Sequence, residues 1–328
     1  MKKVENQLDY EYCGALKNHC RDFVKMKRAV GYKYNSEAAE LKRFDAFSLA
    51  FSIPRDTLPK DVVLAWSQKR PYESDKTHKS RVHVVNMLAC FMVKNGYEAY
   101  IHPFLPGKNL GGFKFKPHIY SDDELARFFA AADNMSEAGR SRFRHLTMPL
   151  LFRMLLCCGM RLSEALKLKL DDVDLENGVL TIRQTKFSKD RYVPMADEMT
   201  ALCAGYLVET KDAYRPNNYF FSTPKGDRYD VSSIESIFRE LLFSAGISHG
   251  GRNAGPRIHD LRHTFAVNCL KKWVLSGENV TAAFPSLSAY LGHADMRGSE
   301  FYLRLTADLY PHITEKCEKH FGDVIPTV

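Results

Sequence analysis

The stretch Cys158-Gly-Met-Arg-Leu-Ser-Glu-Ala-Leu166 decides how this chain folds around its candidate site. Apolar residues precede it, Gly159 predicts a sharp turn, and the residues from Ser163 onwards have the pattern of a second helix. This turn would hold the guanidinium of Arg161 rigidly between two buried helices. A planar, permanently charged group of that kind suits a phosphate or a carboxylate partner. Taken alone, an arginine in a turn more often belongs to a structural salt bridge, so its meaning depends on the rest of the chain.

Length and composition indicate a soluble globular protein of two domains. The chain has 328 residues, of which 45% are hydrophobic and 26% are charged. No apolar run approaches the roughly 20 residues of a membrane span, and no signal-peptide pattern opens the chain, so we expect a cytoplasmic protein. The eight cysteines include no C-x-x-C pair, which argues against both a zinc site and a disulfide framework.

Basic charge is concentrated in the first third of the chain. Residues 1–118 hold 21 Lys and Arg against 12 Asp and Glu, whereas residues 119–328 hold 26 against 27. A charged surface is usually only a solvated one, but such an excess in a compact segment favours a polyanion-binding face. DNA or RNA is therefore the expected partner.

The periodicity of apolar residues predicts a helical domain over residues 1–100. Its helices are expected at residues 11–30, 36–51 and 75–95, with a short one from Pro59 onwards. Lys76, Lys79 and Arg81 lie in the first half of the last of these helices, where positive charge opposes the helix dipole. Contact with DNA phosphates would explain these residues, and a solvated turn is the alternative.

A basic linker is predicted at residues 101–118, where proline and glycine interrupt every periodicity. Lys108, Lys114 and Lys116 give this segment its charge. We expect these three lysines to contact the DNA backbone, although a linker that is merely soluble would look similar.

Residues 119–328 are predicted to form a second, mainly helical domain. A capping-box pattern at Ser121 begins its first helix, and two strands at residues 179–182 and 191–194 flank a turn. Further helices are expected at residues 145–157, 163–170, 197–210, 232–245 and 259–273, with a short strand at 219–221 and a mostly helical segment over 284–328.

The segment His259-Asp-Leu-Arg-His-Thr-Phe-Ala266 brings an imidazole and a guanidinium together. His259 and Arg262 are three residues apart, so they share one face of a helix near its N-terminus, where an oxyanion binds favourably. Pairing with a nearby carboxylate is the structural alternative. His259 and His263 could instead hold a metal ion, but no glutamate lies between them and no cysteine cluster supports such a site, so we predict none.

The order of these motifs along the chain resembles the tyrosine recombinase (phage integrase) family, and in particular its Xer and transposon-integrase members. A lysine lies in the predicted turn Thr185-Lys-Phe-Ser-Lys-Asp190, and a histidine follows a glycine turn in Leu291-Gly-His. The resemblance covers most of residues 120–310. The six positions that carry it are, in chain order, Arg161, Lys186, His259, Arg262, His293 and Tyr302.

The resemblance implies a site-specific DNA recombinase that cleaves and rejoins strands through a 3′-phosphotyrosyl intermediate, with Tyr302 as the nucleophile. Arg161 and Arg262 would stabilise charge on the non-bridging phosphate oxygens, and His259 and His293 would add hydrogen bonds. Because the guanidiniums stabilise this charge and the phosphotyrosyl bond stores the phosphodiester energy, no metal, ATP or other cofactor is expected.

The remaining roles also follow from the resemblance. Lys186 would donate a proton to the leaving 5′-oxygen, and His259 is our candidate for the general base. Glu164 would orient the site from the next helical turn, with an ordinary exposed glutamate as the alternative. Lys189 in the same turn and Tyr310 near the C-terminus are second choices for the acid and the nucleophile, and the family pattern favours the positions named first.

The implied fold is mainly α with a small antiparallel β-sheet. A helical core-binding domain and a mixed α/β catalytic domain would clamp double-stranded DNA, and the tail after Tyr302 would be exchanged within a homotetramer on synapsed sites. Such a protein would be associated with the nucleoid. Two alternatives stay open, namely an enzyme like a type IB topoisomerase that relaxes DNA and a DNA-binding regulator that has lost catalysis.

Overall fold

A computed structural model describes residues 9–103, 117–137, 139, 141–183, 190–251, 255–292 and 302. The chain divides into two compact units, Met1–Gly112 and Phe113–Val328, and each is described by itself. Among the described residues, none of the helices is both long enough and apolar enough to cross a membrane.

Residues 9–103 of the first unit form four helices around one apolar core. They are α1 (Lys17–Ala29), α2 (Asn35–Ser48), α3 (Lys60–Ser67) and α4 (Asp75–Lys94). Aromatic contacts lie at the centre of this core, with 5.2 Å between the rings of Phe44 and Trp66 and 5.3 Å between those of Phe23 and Phe91. The four helices occur in the predicted order, and the last three begin within one residue of the predicted positions.

Helix α1 begins at Lys17 rather than at residue 11, because a buried carboxylate binds the preceding backbone. Asp45 accepts hydrogen bonds from the backbone N–H groups of Cys13 (2.6 Å) and Gly14 (2.8 Å). A Cβ added at Gly14 would lie 2.7 Å from this carboxylate, so the close approach requires glycine. The predicted start of this helix is therefore wrong by more than one turn.

The second unit is built mainly from helices around a core of its own. Its described residues form α5 (Asp122–Asp133), α6 (Arg144–Cys157), α7 (Leu162–Ala165), α8 (Asp197–Glu209), α9 (Val231–Ser244), α10 (Ile258–Leu275) and α11 (Val280–Leu291). Ser121 and Glu124 close the predicted capping box of α5. Helix α6 packs against α5, α8 and α10, and the turn that follows it at Cys158 and Gly159 is buried.

A small antiparallel sheet lies within the second unit. Its strands are β1 (Val173–Asp174), β2 (Val179–Ile182) and β3 (Arg191–Pro194), in that spatial order. Leu180 and Val193 face each other across the ladder, and both are fully buried. Strands β2 and β3 have the predicted bounds, and their last pair joins Ile182 to Arg191. This pair flanks the turn that was predicted to carry Lys186.

Helix α7 is shorter than predicted, because the chain pairs with another segment soon after it. The helix ends at Ala165, whereas residues 163–170 were expected to be helical. The carbonyl of Leu168 accepts a hydrogen bond of 2.9 Å from the N–H of Phe220. The predicted strand at 219–221 is present only as an isolated antiparallel bridge between Tyr219 and Lys169, and it does not join the sheet.

The predicted fold class is confirmed for the described part of the chain, which is mainly α-helical with one small antiparallel sheet. Of the segment 284–328 that was predicted to be mostly helical, the first residues form the end of α11. The remainder lies outside the described residues, apart from Gly292 and Tyr302.

Candidate active site

The turn between α6 and α7 is held by a glycine that no other residue can replace without strain. Gly159 has a φ of +57°, in the left-handed region that favours glycine. A Cβ added there would lie 2.5 Å from the ring of Phe265 on α10, so the turn presses against that helix. Arg161 follows directly before α7, with 28% of its side chain exposed. The turn thus supports a guanidinium that still reaches the surface.

Glu164 is a buried carboxylate that binds two arginines. Its Oε1 accepts a hydrogen bond of 2.7 Å from the guanidinium of Arg161, and its Oε2 accepts one of 2.9 Å from the backbone N–H of the same residue. Arg191 donates two further hydrogen bonds to the carboxylate, at 2.9 and 2.8 Å. Burial alone would raise the pKa of Glu164, but the hydrogen bonds from Arg191, its charge and the hydrogen bonds from Arg161 lower that pKa to about 2. Glu164 is therefore an anion at every physiological pH.

Arg262 is the second arginine of the site, and it is almost completely buried. Its side chain projects from α10, and the residue is 1% exposed. Nη1 donates a hydrogen bond of 2.6 Å to the carbonyl of Gly159, and Nη2 donates one to the carbonyl of Leu291. Burial and the neighbouring charge of Arg161 lower the pKa of Arg262 to about 10. The guanidinium thus stays charged at neutral pH and joins the α6–α7 turn to the end of α11.

Tyr302 lies against Arg262. The tyrosine is 2% exposed, and its hydroxyl is hydrogen-bonded to the Arg262 guanidinium. Burial raises the pKa of Tyr302, whereas this hydrogen bond and the positive charges of Arg262 and Arg161 oppose the rise. A tyrosine whose phenolate is penalised by burial would need activation before it could act as a nucleophile.

Two histidines of α10 lie beside these groups. Partial burial of the ring, together with the positive charges of Arg262 and Arg161, lowers the pKa of His259 to about 4, although the residue as a whole is exposed. His259 is thus neutral at pH 7 and able to accept a proton. The ring of His263 contacts both His259 and Tyr302, with centroid distances of 4.7 and 5.4 Å.

The contact of His263 with Tyr302 was not predicted, because the sequence pattern suggested only the metal alternative for this residue. Among the described residues, no group of three or more His, Cys, Asp or Glu side chains could hold a metal ion. Helical spacing from His259 was the one available signal, because residues four apart on a helix are neighbours.

The C-terminal end of α11 is bound by three guanidiniums. The carbonyls of Tyr290 and Gly292 accept hydrogen bonds from Arg191 Nε (2.9 Å) and Arg161 Nη2 (3.1 Å), and Arg262 binds the carbonyl between them. The last carbonyls of a helix lack partners within the helix and carry its negative partial charge, so cations bind there favourably. Arg191 was not predicted as a site residue, since its position at the start of a strand gives no local sign of these contacts.

Several predicted site residues lie outside the described residues. They are Lys186, His293, Lys108, Lys114 and Lys116, together with the second choices Lys189 and Tyr310. Their roles stay predictions.

The three basic residues predicted on α4 do not share one environment. Lys76 and Lys79 are exposed, as a phosphate contact requires. Arg81 is 3% exposed, its guanidinium pairs with Glu73 at 2.8 Å, and it also donates to the backbone carbonyls of Trp66 and Gln68. The prediction that Arg81 contacts DNA is corrected accordingly, because its donors are directed into the protein and fasten the α3–α4 loop.

An open cleft of about 480 Å³ adjoins the site. His259 and Met160 line it on the side of the α6–α7 turn, Arg239 and Arg257 contribute positive charge, and Glu235 contributes one negative charge. A phosphate backbone would be attracted to such a cleft.

The arrangement defines a class of enzyme. A tyrosine hydroxyl bound to one of two neighbouring arginines, in a site that also holds two histidines, would suit attack on a phosphodiester. In a mainly helical unit with one small antiparallel sheet, it is the arrangement expected of a tyrosine recombinase.

Comparison with known proteins gives the family. The sequence profile of the phage integrase family matches residues 120–308, more than half of the chain. The chain is 32% identical over 310 residues to the putative integrase/recombinase y4rB of Sinorhizobium fredii, covering 92% of this chain and 97% of that protein. It is 27% identical over 206 residues to the tyrosine recombinase XerA of Pyrococcus horikoshii, covering 63% and 62%. The chain belongs to the phage integrase family, and the prediction of a tyrosine recombinase is confirmed.

Solved structures share the fold. The XerH site-specific recombinase, in a post-cleavage complex with its palindromic difH substrate, matches with a TM-score of 0.63 and 22% identity over 93% of this chain and 84% of that one. The Tn1549 transposon integrase in complex with transposon right end DNA matches with a TM-score of 0.62 and 17% identity, over 87% and 94%. At these identities the likeness concerns the fold alone.

Proposed function

We propose that this chain cleaves and rejoins DNA at specific sites through a covalent bond between Tyr302 and the 3′-phosphate of the cut strand. The observation that carries the proposal is the hydrogen bond between the buried Tyr302 hydroxyl and Arg262, one of the two arginines of the site. This arrangement places a nucleophile beside a group able to stabilise the negative charge that develops on a phosphate under attack.

In the proposed reaction, a bond forms between the Tyr302 oxygen and phosphorus while the bond from phosphorus to the 5′-oxygen breaks. His259 accepts the tyrosine proton, and Lys186 donates a proton to the leaving 5′-oxygen. Arg161 and Arg262 stabilise the non-bridging oxygens, and His293 adds a hydrogen bond. A free 5′-hydroxyl from a second duplex reverses these steps and reseals the strand.

The charges of the described residues support this assignment. Arg161, Arg191 and Arg262 lie together with one buried carboxylate, Glu164, so positive charge exceeds negative charge at the site. An anionic phosphate would balance that excess. Burial and this excess of positive charge lower the pKa of His259, and a bound phosphate would offset the contribution of the charges.

Burial of the nucleophile links DNA binding to reactivity. Because Tyr302 is 2% exposed, a phosphate can reach its hydroxyl only after a local rearrangement. We propose that contact between DNA and the arginines provides the free energy for this step. Reaction of Tyr302 with other electrophiles in the DNA-free protein would thereby be suppressed.

The wider assembly is also a proposal. Residues 1–100 act as the core-binding domain, residues 101–118 as a basic linker and residues 119–328 as the catalytic domain, and together they clamp double-stranded DNA. Lys76 and Lys79 contact phosphates in the first domain, as do Lys108, Lys114 and Lys116 in the linker. On synapsed sites the chain forms a homotetramer by exchange of its C-terminal tail, in the cytoplasm and on the nucleoid.

A suicide substrate tests the proposal. Duplexes that tile the DNA flanking the coding sequence, each with a nick beside the position under test, release a short fragment after cleavage and trap the enzyme on DNA. We expect a covalent adduct that resists denaturation and forms in the presence of EDTA and without ATP. Absence of an adduct on every duplex would overturn the proposal. DNA binding without an adduct would indicate a regulator, and relaxation of supercoils without recombinant products would indicate a topoisomerase.

A further inference from the structure

We propose, on the basis of the recombinase function above, that Arg191 is a positioning residue of the cleavage reaction. Its guanidinium binds the carboxylate that holds Arg161 and the helix end that leads to His293. Its backbone begins the strand that follows the segment of Lys186. Arg191 itself touches no reacting atom in this account. It acts through the residues that it holds in place.

The first connection runs through Glu164 to Arg161. Two N–H groups of Arg191 bind the two oxygens of this carboxylate at 2.9 and 2.8 Å, while 10% of the arginine side chain and 8% of the glutamate side chain are exposed. Paired bonds of this kind fix the plane of the carboxylate as well as its position. Since Arg161 donates to the same carboxylate over 2.7 Å, Arg191 determines where the Arg161 guanidinium lies.

The second connection fixes the end of α11. Arg191 Nε donates a hydrogen bond of 2.9 Å to the carbonyl of Tyr290, two residues before the glycine that ends the helix. Gly292 has a φ of +65°, and a Cβ added there would lie 3.1 Å from Arg191 Nη1. The backbone that leads to His293 is therefore packed directly on this guanidinium.

The third connection is the position of Arg191 in the sheet. It is the first residue of β3 and pairs with Ile182, the last residue of β2. This pair closes the ladder beside residues 183–190, which include Lys186. A shift of Arg191 would therefore move the backbone at Asp190, the adjoining residue on the side of Lys186.

The geometry requires an arginine rather than any cation. The three bonds from Arg191 use Nε, Nη1 and Nη2, which point in fixed, coplanar directions. A lysine keeps the charge but offers one nitrogen, so it cannot bind Glu164 in a bidentate manner and Tyr290 at once. Without Arg191, the Glu164 carboxylate would draw Arg161 into a tighter ion pair and away from a phosphate.

The test measures DNA affinity and single-turnover cleavage of the nicked duplex separately, in the full-length protein. Because misplacement of a catalytic group by about 1 Å can cost about 100-fold in rate, we expect Arg191→Gln to slow cleavage about 100-fold while its DNA affinity changes by less than about threefold. Arg191→Lys should recover part of this loss. Arg153→Gln removes a paired guanidinium from α6 of the same unit, where Arg153 pairs with Asp133 at 2.7 Å, and should cleave like the wild type.

A double-mutant cycle distinguishes positioning from a general loss of stability. Because Arg191 acts partly through Glu164 and partly through the end of α11, Arg191→Gln should slow cleavage less in a Glu164→Gln background than in the wild type. Full additivity of the two losses, a cleavage rate for Arg191→Gln within about threefold of the wild type, or a loss confined to DNA affinity would each overturn the proposal. If Arg191→Gln does not fold, cleavage by Arg191→Lys is measured instead. A wild-type cleavage rate in Arg191→Lys then rejects the proposal. A wild-type enzyme that forms no adduct would instead reject the proposed function.

Discussion

The guanidinium of Arg262 donates a hydrogen bond of 2.6 Å to the carbonyl oxygen of Gly159, 103 residues away in the sequence. This bond connects the helix that carries the second arginine motif to the turn that carries the first. Gly159 has a left-handed backbone conformation and lies against Phe265, which is on the same helix as Arg262. The turn and this helix therefore hold each other in position. The relative positions of Arg161 and Arg262 thus depend on a backbone conformation that favours glycine.

Replacement of this glycine should destabilise the enzyme. We expect Gly159→Ala to lower the free energy of unfolding by about 2–5 kcal/mol, from the left-handed conformation and from overpacking against Phe265. Gly205→Ala is the matched control, because Gly205 is exposed inside α8 and a Cβ there would meet no atom within 4 Å. That control should raise stability by about 0.5–1 kcal/mol in urea unfolding. Equal effects of the two substitutions would contradict the close packing at Gly159.

The pKa of His259 should rise when DNA binds. In the free protein it is about 4, from burial and from the charges of Arg262 and Arg161. A phosphate between these arginines offsets their charge, so we expect the pKa of His259 to increase by about 1–3 units. NMR titration of the labelled imidazole measures this pKa. The Tyr302→Phe variant is used so that the DNA is not cleaved. Arg161→Gln should raise the same pKa without DNA. A pKa of His259 that does not rise in the DNA complex would contradict this prediction.

The same lowered pKa has a consequence for stability. As the pH falls from 6.5, the ordinary value for histidine, towards 4, the unfolded chain takes up a proton at His259 that the folded protein does not bind. This residue therefore lowers the stability of the fold over that interval, and the effect is absent above it.

Salt dependence tests the proposed phosphate contacts of α4. If Lys76 neutralises one phosphate, Lys76→Ala should reduce the slope of log affinity against log salt concentration by about 0.9. Lys79→Ala should behave in the same way. Lys94→Ala removes an exposed lysine from the last turn of the same helix and should leave the slope unchanged. Equal slopes for all three variants and the wild type would mean that Lys76 and Lys79 only face solvent.

Features set by neighbouring residues could be predicted from the sequence. The order of the helices, the capping box at Ser121, the bounds of β2 and β3 and the turn at Gly159 all follow from local patterns. The motif order predicted Arg161 and Arg262 in one candidate site, because each motif contains its own turn or helix signal.

Features set by distant partners could not be predicted. Arg191 meets Glu164 from 27 residues away and Tyr290 from 99, and nothing near Arg191 in the sequence indicates either contact. Arg81 was assigned to DNA from charge and helix position, but its partner Glu73 lies in the loop before the helix and turns the guanidinium inward. Side-chain partners of this kind depend on how the chain folds back on itself.

Tyr302 is the proposed nucleophile, and one comparison of variants tests this assignment most directly. Tyr302→Phe, Tyr310→Phe and the wild type are incubated with the same nicked duplex, after equal DNA binding has been verified, and the covalent adduct is measured on a denaturing gel. We expect the adduct from the wild type and from Tyr310→Phe and none from Tyr302→Phe, because phenylalanine has no hydroxyl with which to attack phosphorus. An adduct that persists in Tyr302→Phe would contradict the account.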